Sequence, residues 1–224
     1  MTRTLLSAAF AVALLAGCGD VGDAPEATTT AVEPSAAAAT DTPITFTGTA
    51  IPISATDSTV EWTGAKLTGN HLGGFRSVAG DVYVDGDAVT GADVEIDMTS
   101  IYSDNDDLTG HLMSDDFFAV ETYPTAEFET ADIRPLTPAD GVQDENATHM
   151  VTGRLTMHGR TNEISFPAVV QRTDSGASVE AAFLIDRTLW DINYPGMQND
   201  LINDQVRLEL NVAAGDAVAN ASGS

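Results

Sequence analysis

The 224-residue chain contains one cysteine, Cys18, and one lysine, Lys66. A single cysteine excludes a disulfide within the chain, and it excludes a metal cluster held by several thiolates. Basic residues are scarce as well, because 9 Lys and Arg side chains stand against 34 Asp and Glu side chains, for a formal net charge of -25. Binding to nucleic acid depends on clustered Arg and Lys beside the phosphates, so we expect no nucleic-acid partner.

The motifs of catalytic and metal centres are also missing. No two histidines have the HExxH spacing of a zinc protease, and Ser114 lacks the flanking glycines of a nucleophile elbow. The adjacent acids Asp115 and Asp116 point in different directions, which suits poorly an acid–base pair that must face one substrate. We therefore predict that the protein is not an enzyme and that it has no catalytic residues, no metal site and no cofactor.

The first 18 residues have the features of an export signal. Arg3 is followed by an apolar run at positions 5–16, which is shorter than the about 20 residues of a membrane-spanning helix and fits a signal peptide. The run ends in Leu15-Ala16-Gly17-Cys18, which resembles the bacterial lipobox. This resemblance implies a lipoprotein signal peptide at residues 1–17 and acylation of Cys18, and the alternative is a plain signal peptide with an incidental cysteine.

Acylation of Cys18 would determine where the protein resides. Several buried acyl chains hold a protein durably on a membrane, since each buried CH₂ group contributes about 0.8 kcal/mol. We therefore expect a protein of the bacterial cell envelope that is attached to a membrane by its lipid anchor. The attached domain is expected to face the periplasm or the exterior.

Two segments on either side of the central part of the chain lack large apolar side chains. Residues 18–44 are small, polar, acidic and proline-bearing, and such a composition cannot bury enough surface to offset the chain entropy. We predict a disordered acidic tether there and a disordered tail at residues 215–224. The folded domain is predicted at residues 45–214.

The central domain shows the alternation of apolar and polar residues that is typical of strands with one buried face. Val206, Leu208 and Leu210 form the clearest example. Turn residues separate the alternating runs, and His158-Gly159 between two runs predicts a tight hairpin. Many short strands at this spacing predict an all-β fold, either an antiparallel barrel or a sandwich.

One stretch departs from this alternation, between residues 106 and 119. Leu108 and Leu112 have helical spacing there, and Asp106 or Asp107 is placed to cap a short helix. A single short helix in an antiparallel chain can cover one end of a barrel. A barrel of about eight strands is wide enough for interior side chains or for one small ligand.

Several motifs of the central domain occur together in a known family. They are, in order, Gly74-Phe75 with Gly80-Asp81-Val82, Ile96-Asp97-Met98-Thr99-Ser100-Ile101, His111-Leu112-x-Ser114-x-Asp116-Phe117-Phe118, Tyr123-Pro124-x-Ala126-x-Phe128, Gly153-x-Leu155-Thr156-x-x-Gly159-x-Thr161, and Asp186-Arg187 with Trp190. The chain thereby resembles the YceI-like family, and the resemblance implies a lipocalin-like antiparallel barrel of about eight strands that binds polyisoprenoid lipids. Leu108-Thr109-Gly110 departs from the family, which usually has Arg-Asp-x before the His-Leu pair.

The resemblance implies a binding protein whose barrel holds an elongated apolar lipid, either a polyisoprenoid or a quinone-like molecule. Phe117 and Phe118 would then be buried at one barrel end, and Asp115 and Asp116 would form a solvated face or accept hydrogen bonds beside the helix. The alternative is a structural or stress-linked envelope lipoprotein whose barrel is filled by its own side chains and holds no ligand.

The alternation also selects the residues that we expect inside the barrel or at its mouth, where they would contact the lipid. They are Phe75, Val82, Val84, Ile96, Met98, Phe117, Phe118, Phe128, Leu155, Met157, Phe166 and Phe183. Trp62 and Trp190 are expected in the core. A shift of one residue in strand register would turn these side chains to the other face of the sheet.

The lipobox generates a prediction about membrane attachment. Replacing Cys18 with Ala removes the thiol that would be acylated, so the protein should appear in the soluble envelope fraction or should keep its signal peptide. Membrane fractionation followed by mass spectrometry of the N-terminus measures both results. Normal membrane attachment of the variant would contradict the prediction.

Overall fold

The computed structural model of the protein describes residues 20–32 and 43–215, most of which lie in antiparallel strands. The strands are β1 (Thr28–Ala31), β2 (Thr49–Pro52), β3 (Thr59–Lys66), β4 (Gly69–Phe75), β5 (Val78–Asp85), β6 (Ala88–Asp97), β7 (Ile101–Ser103), β8 (Thr125–Pro135), β9 (His149–Met157), β10 (Arg160–Arg172), β11 (Gly176–Asp186), β12 (Gly196–Met197) and β13 (Asp200–Gly215). The helical elements in the described part are α1 (Asp106–Met113) and the short 3₁₀ turns Met98–Ser100, Pro138–Asp140 and Arg187–Trp190.

Eight passes of the chain form the barrel wall. A pass is one crossing of the wall from end to end. Three passes are bent and consist of two strands each, namely β2 with β3, β4 with β5 and β6 with β7. The other five are the single strands β8, β9, β10, β11 and β13. The strands are hydrogen-bonded in the order β2-β5-β6-β8-β9-β10-β11-β13-β3-β4-β7. Because β4 and β5 belong to one pass, the two ends of this order meet and the sheet curls into a barrel. The predicted all-β barrel of about eight strands with one short helix is confirmed.

Backbone irregularities supply the bends. The bend between β4 and β5 is fastened by Ser100, whose hydroxyl oxygen accepts hydrogen bonds from the N–H groups of Arg76 and Ser77 at 3.1 Å each. Register shifts between β8 and β9 and between β13 and β3 add curvature, as β-bulges do in closed sheets. The predicted hairpin between β9 and β10 is confirmed: His158 and Gly159 have φ values of 51° and 72°, which suit a type I′ turn.

The helix α1 begins at Asp106, as the sequence pattern indicated, but it ends at Met113, six residues before the predicted end. Asn105 is its N-cap, and the side-chain oxygen of Asn105 accepts a hydrogen bond from the Leu108 N–H at 3.0 Å. The predicted cap at Asp106 or Asp107 is therefore wrong, since both acids lie in the first turn. Their negative charges still stabilise the helix there, because they lie beside the positive end of its dipole. Among the residues described, no helix has the length and apolar character needed to cross a membrane.

The barrel interior is packed unequally along its axis. At the end that carries the β5–β6 and β10–β11 turns, which we call the packed end, small apolar side chains close the interior. They are Ile53, Val82, Val84, Ala92, Ala177, Val212 and Ala214. A second and larger cluster, built around Phe166, Phe183 and Trp190, occupies the remaining length of the barrel together with α1.

The segment at the start of the described chain fills a split in the barrel wall. β10 and β11 pair with each other only at residues 169–172 and 177–180, and beyond this stretch they diverge. β1 pairs with residues 162–165 of β10, and Glu26 forms a bridge to Leu184 of β11. The segment is thus hydrogen-bonded to both diverging strands and completes the wall.

This arrangement differs from the disordered tether predicted at residues 18–44. Residues 20–32 pack on the barrel, with Ala27 only 5% exposed, because the open edges of β10 and β11 supply hydrogen-bonding partners that composition alone does not reveal. Residues 1–19, 33–42 and 216–224 lie outside the described part of the chain, so the signal peptide, the acylation of Cys18, the rest of the tether and the tail stay predictions.

The packing of Ala27 generates a prediction about stability. An Ala27→Asp substitution places an unpaired carboxylate in the wall and should lower the free energy of unfolding by roughly 2–3 kcal/mol, at the upper end of ordinary substitutions. Hydrogen exchange at residues 162–165 should also become faster. Thr30→Asp is the matched control, because Thr30 is exposed on the same segment and should change stability by less than about 0.5 kcal/mol. Equal effects of the two variants would show that the segment is not part of the folded wall.

Candidate functional site

An apolar cavity of about 390 Å³ lies inside the barrel beside α1. Its wall is formed by side chains from β3, β4, β6, β8, β9, β11, β12 and β13, by α1 and the turn after it, by the 3₁₀ turn at Met98–Ser100, and by the loop after β11. The apolar side chains that line it are Val60, Trp62, Ala65, Phe75, Ile96, Met98, Leu108, Leu112, Phe117, Phe118, Ala126, Leu155, Met157, Ile185, Ile192, Met197, Ile202, Val206 and Leu208. Such a lining favours an apolar ligand, since apolar surface gains from leaving water.

The cavity brings together seven of the residues that the alternation placed inside the barrel. They are Phe75, Ile96, Met98, Phe117, Phe118, Leu155 and Met157. They come from four separate parts of the chain, and the folded barrel brings them into one wall. The predicted lipid contacts of these residues are compatible with their positions.

The other five predicted residues lie away from the cavity wall, four of them buried and Phe128 partly buried. Val82 and Val84 belong to the packed end. Phe166 stacks on Phe183 with ring centroids 4.1 Å apart, and Phe128 lies 5.8 Å from Phe166, so the three rings fill the barrel with one another. Their inward direction was predicted from the alternation, but that pattern does not reveal the height of a residue along the barrel axis.

The acid pair Asp115-Asp116 lies outside the cavity. The turn after α1 is held by the Phe117 N–H, which donates to the Ser114 carbonyl at 3.1 Å, and it directs the Phe117 ring inward. Asp115 and Asp116 are exposed, so the expectation of a solvated face is confirmed. The helix and this turn together cover one side of the cavity.

Two polar atoms in residues of the cavity wall lack a hydrogen-bond partner among the residues that the structure describes. They are Nε1 of Trp62 and Nε2 of His111, and both atoms are buried. The His111 ring makes edge contacts with Phe117 and Tyr194, at centroid distances of 5.2 and 4.8 Å. A buried polar atom without a partner costs about 1–3 kcal/mol, so these two groups lower the stability of the wall.

Arg187 is the most deeply buried cation of the site, at 5% exposure. Its guanidinium donates hydrogen bonds to the carbonyl oxygens of Asn203 and Ile192 and to the carboxylate of Asp204, the last at 3.1 Å. Burial lowers the pKa of Arg187, while the carboxylate of Asp204 acts in the opposite direction. With these donors engaged, Arg187 ties the loop after β11 to β13.

The cavity reaches the surface between two hairpins, β3–β4 and β12–β13, and we call this opening the mouth. Lys66, His71, Met197 and Asp200 line the cavity there. Lys66 lies 2.8 Å from the Asp200 carboxylate, and its hydrogen bond lowers the pKa of Asp200 below its ordinary value. The only lysine of the chain is therefore already paired with an acid.

His71 is engaged in the same way at the mouth. Its Nδ1 lies 2.9 Å from Oδ1 of Asp104, and the Leu72 N–H donates to the other carboxylate oxygen. Burial alone would raise the pKa of Asp104, but these hydrogen bonds lower it below its ordinary value. Within the described part of the chain, no group of three or more His, Cys, Asp and Glu side chains is arranged to hold a metal ion.

Several cavity residues were not identified from the sequence. Ile192 and Tyr194 lie in the loop after the 3₁₀ turn at Arg187–Trp190, where no alternation exists to indicate an inward face. Trp62 was expected in the core; it packs against the core, but it also forms part of the cavity wall. Trp190 is fully buried as expected, and its indole N–H donates to the Leu155 carbonyl at 3.0 Å.

Comparison with known sequences identifies a family and a distant relative. The chain matches the YceI-like domain over residues 52–214. It is also 26% identical to a UPF0312 protein of Pseudomonas putida over 159 residues, which are 67% of this chain and 79% of that protein. The matched region contains the barrel passes from the end of β2 onward, and it excludes β1.

Solved structures share the fold at low sequence identity. The chain is similar to BcnA of Burkholderia cenocepacia with a TM-score of 0.59 and 20% identity, covering 72% of this chain and 99% of that one. It is similar to a polyisoprenoid-binding domain of Saccharophagus degradans, implicated in plant cell wall breakdown, with a TM-score of 0.57 and 19% identity, covering 73% and 97%. A YceI protein of Campylobacter jejuni is similar with a TM-score of 0.53 and 20% identity, and the match covers 65% of this chain and 85% of that one.

The contact between Trp62 and β4 generates a prediction about the cavity wall. A Cβ atom at Gly73 would overlap the Trp62 ring and the Tyr102 carbonyl oxygen, so Gly73→Ala should displace the indole and lower stability by about 1–3 kcal/mol. Thermal unfolding and near-ultraviolet circular dichroism measure the two effects.

Gly64→Ala is the matched control, because its Cβ would lie 3.8 Å from the nearest atom of the same Trp62 ring, an ordinary contact. This variant should keep or slightly raise the stability, since alanine loses less backbone entropy than glycine. Equal destabilisation by both variants would contradict the tight contact at Gly73.

Proposed function

Because the chain belongs to the YceI-like domain family, we propose that it binds an elongated apolar lipid, a polyisoprenoid or a quinone-like molecule, in the cavity of its barrel. In this proposal the acylated Cys18 holds the protein on a membrane of the bacterial cell envelope. The protein is then a carrier or store for the lipid and performs no chemistry on it.

The apolar cavity is the observation that carries this proposal. Its volume of about 390 Å³ falls within the roughly 300–1,000 Å³ that is common for small-molecule sites. Aromatic and aliphatic side chains surround it, and the mouth leads from it to the surface. An isoprenoid chain has no hydrogen-bonding groups along its length, so this lining suits it, and a tail longer than the cavity would leave through the mouth.

The charged groups of the site favour a ligand with an uncharged head. A diphosphate would need free cations, whereas Lys66 is paired with Asp200 and the donors of Arg187 are engaged.

A related domain supports the same ligand class. The structure from Saccharophagus degradans, which has the same fold, is a polyisoprenoid-binding domain. That property belongs to the other protein, and at 19% identity it does not define the ligand here. It agrees with the apolar lining, which is the independent reason for proposing a lipid.

The alternative, a barrel filled by its own side chains, is disfavoured by the difference between the two ends. At the packed end, Val82 and Ala177 are 0% exposed and their neighbours close the interior. The half beside α1 instead keeps an apolar cavity of about 390 Å³, which is the arrangement of a binding site.

The test combines lipid extraction with two substitutions that fill the cavity. Met98→Trp and Met157→Trp place a large ring where the lipid would lie, so each should greatly reduce the co-purifying lipid while the barrel stays folded. Organic extraction followed by mass spectrometry measures the lipid, and thermal unfolding measures the fold. Met150→Trp is the control: Met150 lies on β9 like Met157, but it does not line the cavity, and this variant should keep the lipid.

The opposite pattern would contradict the proposal. In a solid barrel the added rings would overpack the core and cost about 1–3 kcal/mol of stability. Destabilisation of both cavity variants, together with no lipid in the parent protein, would support the filled structural barrel.

A further inference from the structure

Exposed apolar side chains are concentrated around the mouth. Six large apolar side chains are exposed in the described part of the chain, and four of them lie on the two hairpins that form the mouth: Leu67, Leu72, Met197 and Leu201. They are between 48% and 71% exposed. We call these four residues the apolar rim. Clusters of exposed apolar side chains on a soluble domain commonly mark a surface that contacts another molecule or a membrane.

The apolar rim is continuous with the cavity. Met197 belongs to both, since it lines the cavity and is 71% exposed. The two hairpins are joined by the Leu67 N–H, which donates to the Leu201 carbonyl at 3.1 Å. They are also joined by the pair of Lys66 and Asp200 at 2.8 Å. Whatever covers the apolar rim therefore also faces the opening through which a lipid would enter.

The N-terminal segment leads to this same end of the barrel. The Asp20 carbonyl accepts a hydrogen bond from the Asn70 side chain at 3.3 Å, and Asn70 lies on β4 beside the mouth. From there the segment runs along the wall. The Gln205 side chain donates a hydrogen bond to the Glu26 carboxylate at 3.2 Å, and β1 then pairs with β10. Cys18 precedes Asp20 by two residues, which span about 7 Å at most. An acyl group on Cys18 is thus confined to the neighbourhood of the mouth.

We propose that the apolar rim docks on the surface of a zwitterionic lipid bilayer, so that the mouth faces the membrane. This inference rests on the proposed acylation of Cys18, which brings the bilayer within reach. The rim side chains then insert among the headgroups and the first acyl carbons, to a depth of about 5–10 Å, as in other interfacial segments. The lipid ligand passes between bilayer and cavity without crossing open water.

The charges of the protein favour a zwitterionic surface over an anionic one. The chain carries a formal net charge of -25, which repels anionic headgroups. At the mouth, Lys66 is neutralised by Asp200 and His71 faces Asp104. No excess of positive charge is therefore present among these groups to offset the repulsion, and the attraction has to come from the apolar rim.

The two ends of the barrel are far enough apart for a clear measurement. β13 runs from the mouth to the packed end over 16 residues, or about 50 Å of strand. With the usual tilt of barrel strands, the ends are separated by roughly 35–40 Å. A probe at the packed end should therefore remain well outside the bilayer when the mouth is docked.

Two single-cysteine variants of the full lipidated protein test this orientation. Gly69→Cys places a thiol on the β3–β4 hairpin, where a side chain would meet no atom within 4 Å and the apolar rim stays intact. Ser175→Cys places one in the exposed turn at the packed end. An acylated Cys18 has no free thiol, so a maleimide fluorophore labels only the new cysteine. The labelled proteins are reconstituted on phosphatidylcholine vesicles that contain nitroxide-labelled phosphatidylcholine.

The expected result is several-fold stronger quenching of the probe at position 69 than of the probe at position 175. Adding Leu72→Ser and Leu201→Ser to the Gly69→Cys variant should remove most of that difference, because the rim then loses half of its apolar side chains. Quenching that these serines leave unchanged would overturn the role of the apolar rim in docking.

The remaining outcomes separate this inference from the proposed function. Protein that sits on the vesicles with equal quenching at both positions would overturn the orientation and leave the lipid anchor intact. Wild-type protein that stays off the vesicles, with an unmodified Cys18 by mass spectrometry, would refute the anchor and the orientation together. Lipid in the cavity, measured by extraction, is independent of both results.

Discussion

The structure depends on how the fixed interior of an eight-strand barrel is filled. A sheet of this size encloses a volume that side chains can fill completely or that can hold one small molecule, and the two halves of this barrel differ in how completely side chains fill it. At the packed end, Val82, Ala177 and Ala214 leave no space. In the other half, the strands diverge around larger side chains and α1, and a cavity remains. The limited interior volume of the barrel therefore determines both how its core packs and where a ligand could bind.

The sequence predicts the architecture well because strand alternation and turn residues are local signals. Val206 and Leu208 alternate as expected and line the cavity, and the His158-Gly159 turn has the positive φ values of a tight hairpin. The candidate site is predicted less completely. Inward-facing residues such as Phe166 and Phe183 look the same in the sequence as Met98 and Met157, yet only the methionines reach the cavity. Height along the axis depends on register and tilt, which no local pattern contains.

Two other features depend on contacts between distant parts of the chain. Tyr194 enters the cavity from a loop without alternation, and its position depends on Arg187, whose donors bind backbone and carboxylate oxygens of neighbouring segments. β1 has a composition typical of a disordered linker, but it becomes a strand because β10 and β11 diverge beside it. In both cases the partner of the segment, and not its own residues, determines the structure.

The position of β1 in the wall has a consequence for where this protein can be divided. The YceI-like match begins at residue 52, and a chain trimmed to that boundary would lose β1 and three of the four residues of β2. Residues 162–165 of β10 and Leu184 of β11 would then present unpaired backbone groups. Open strand edges of this kind recruit strands from other molecules, so the trimmed domain would tend to self-associate. The folded unit is thus longer than the region that matches the family, and its boundary is determined by the hydrogen bonds of β1.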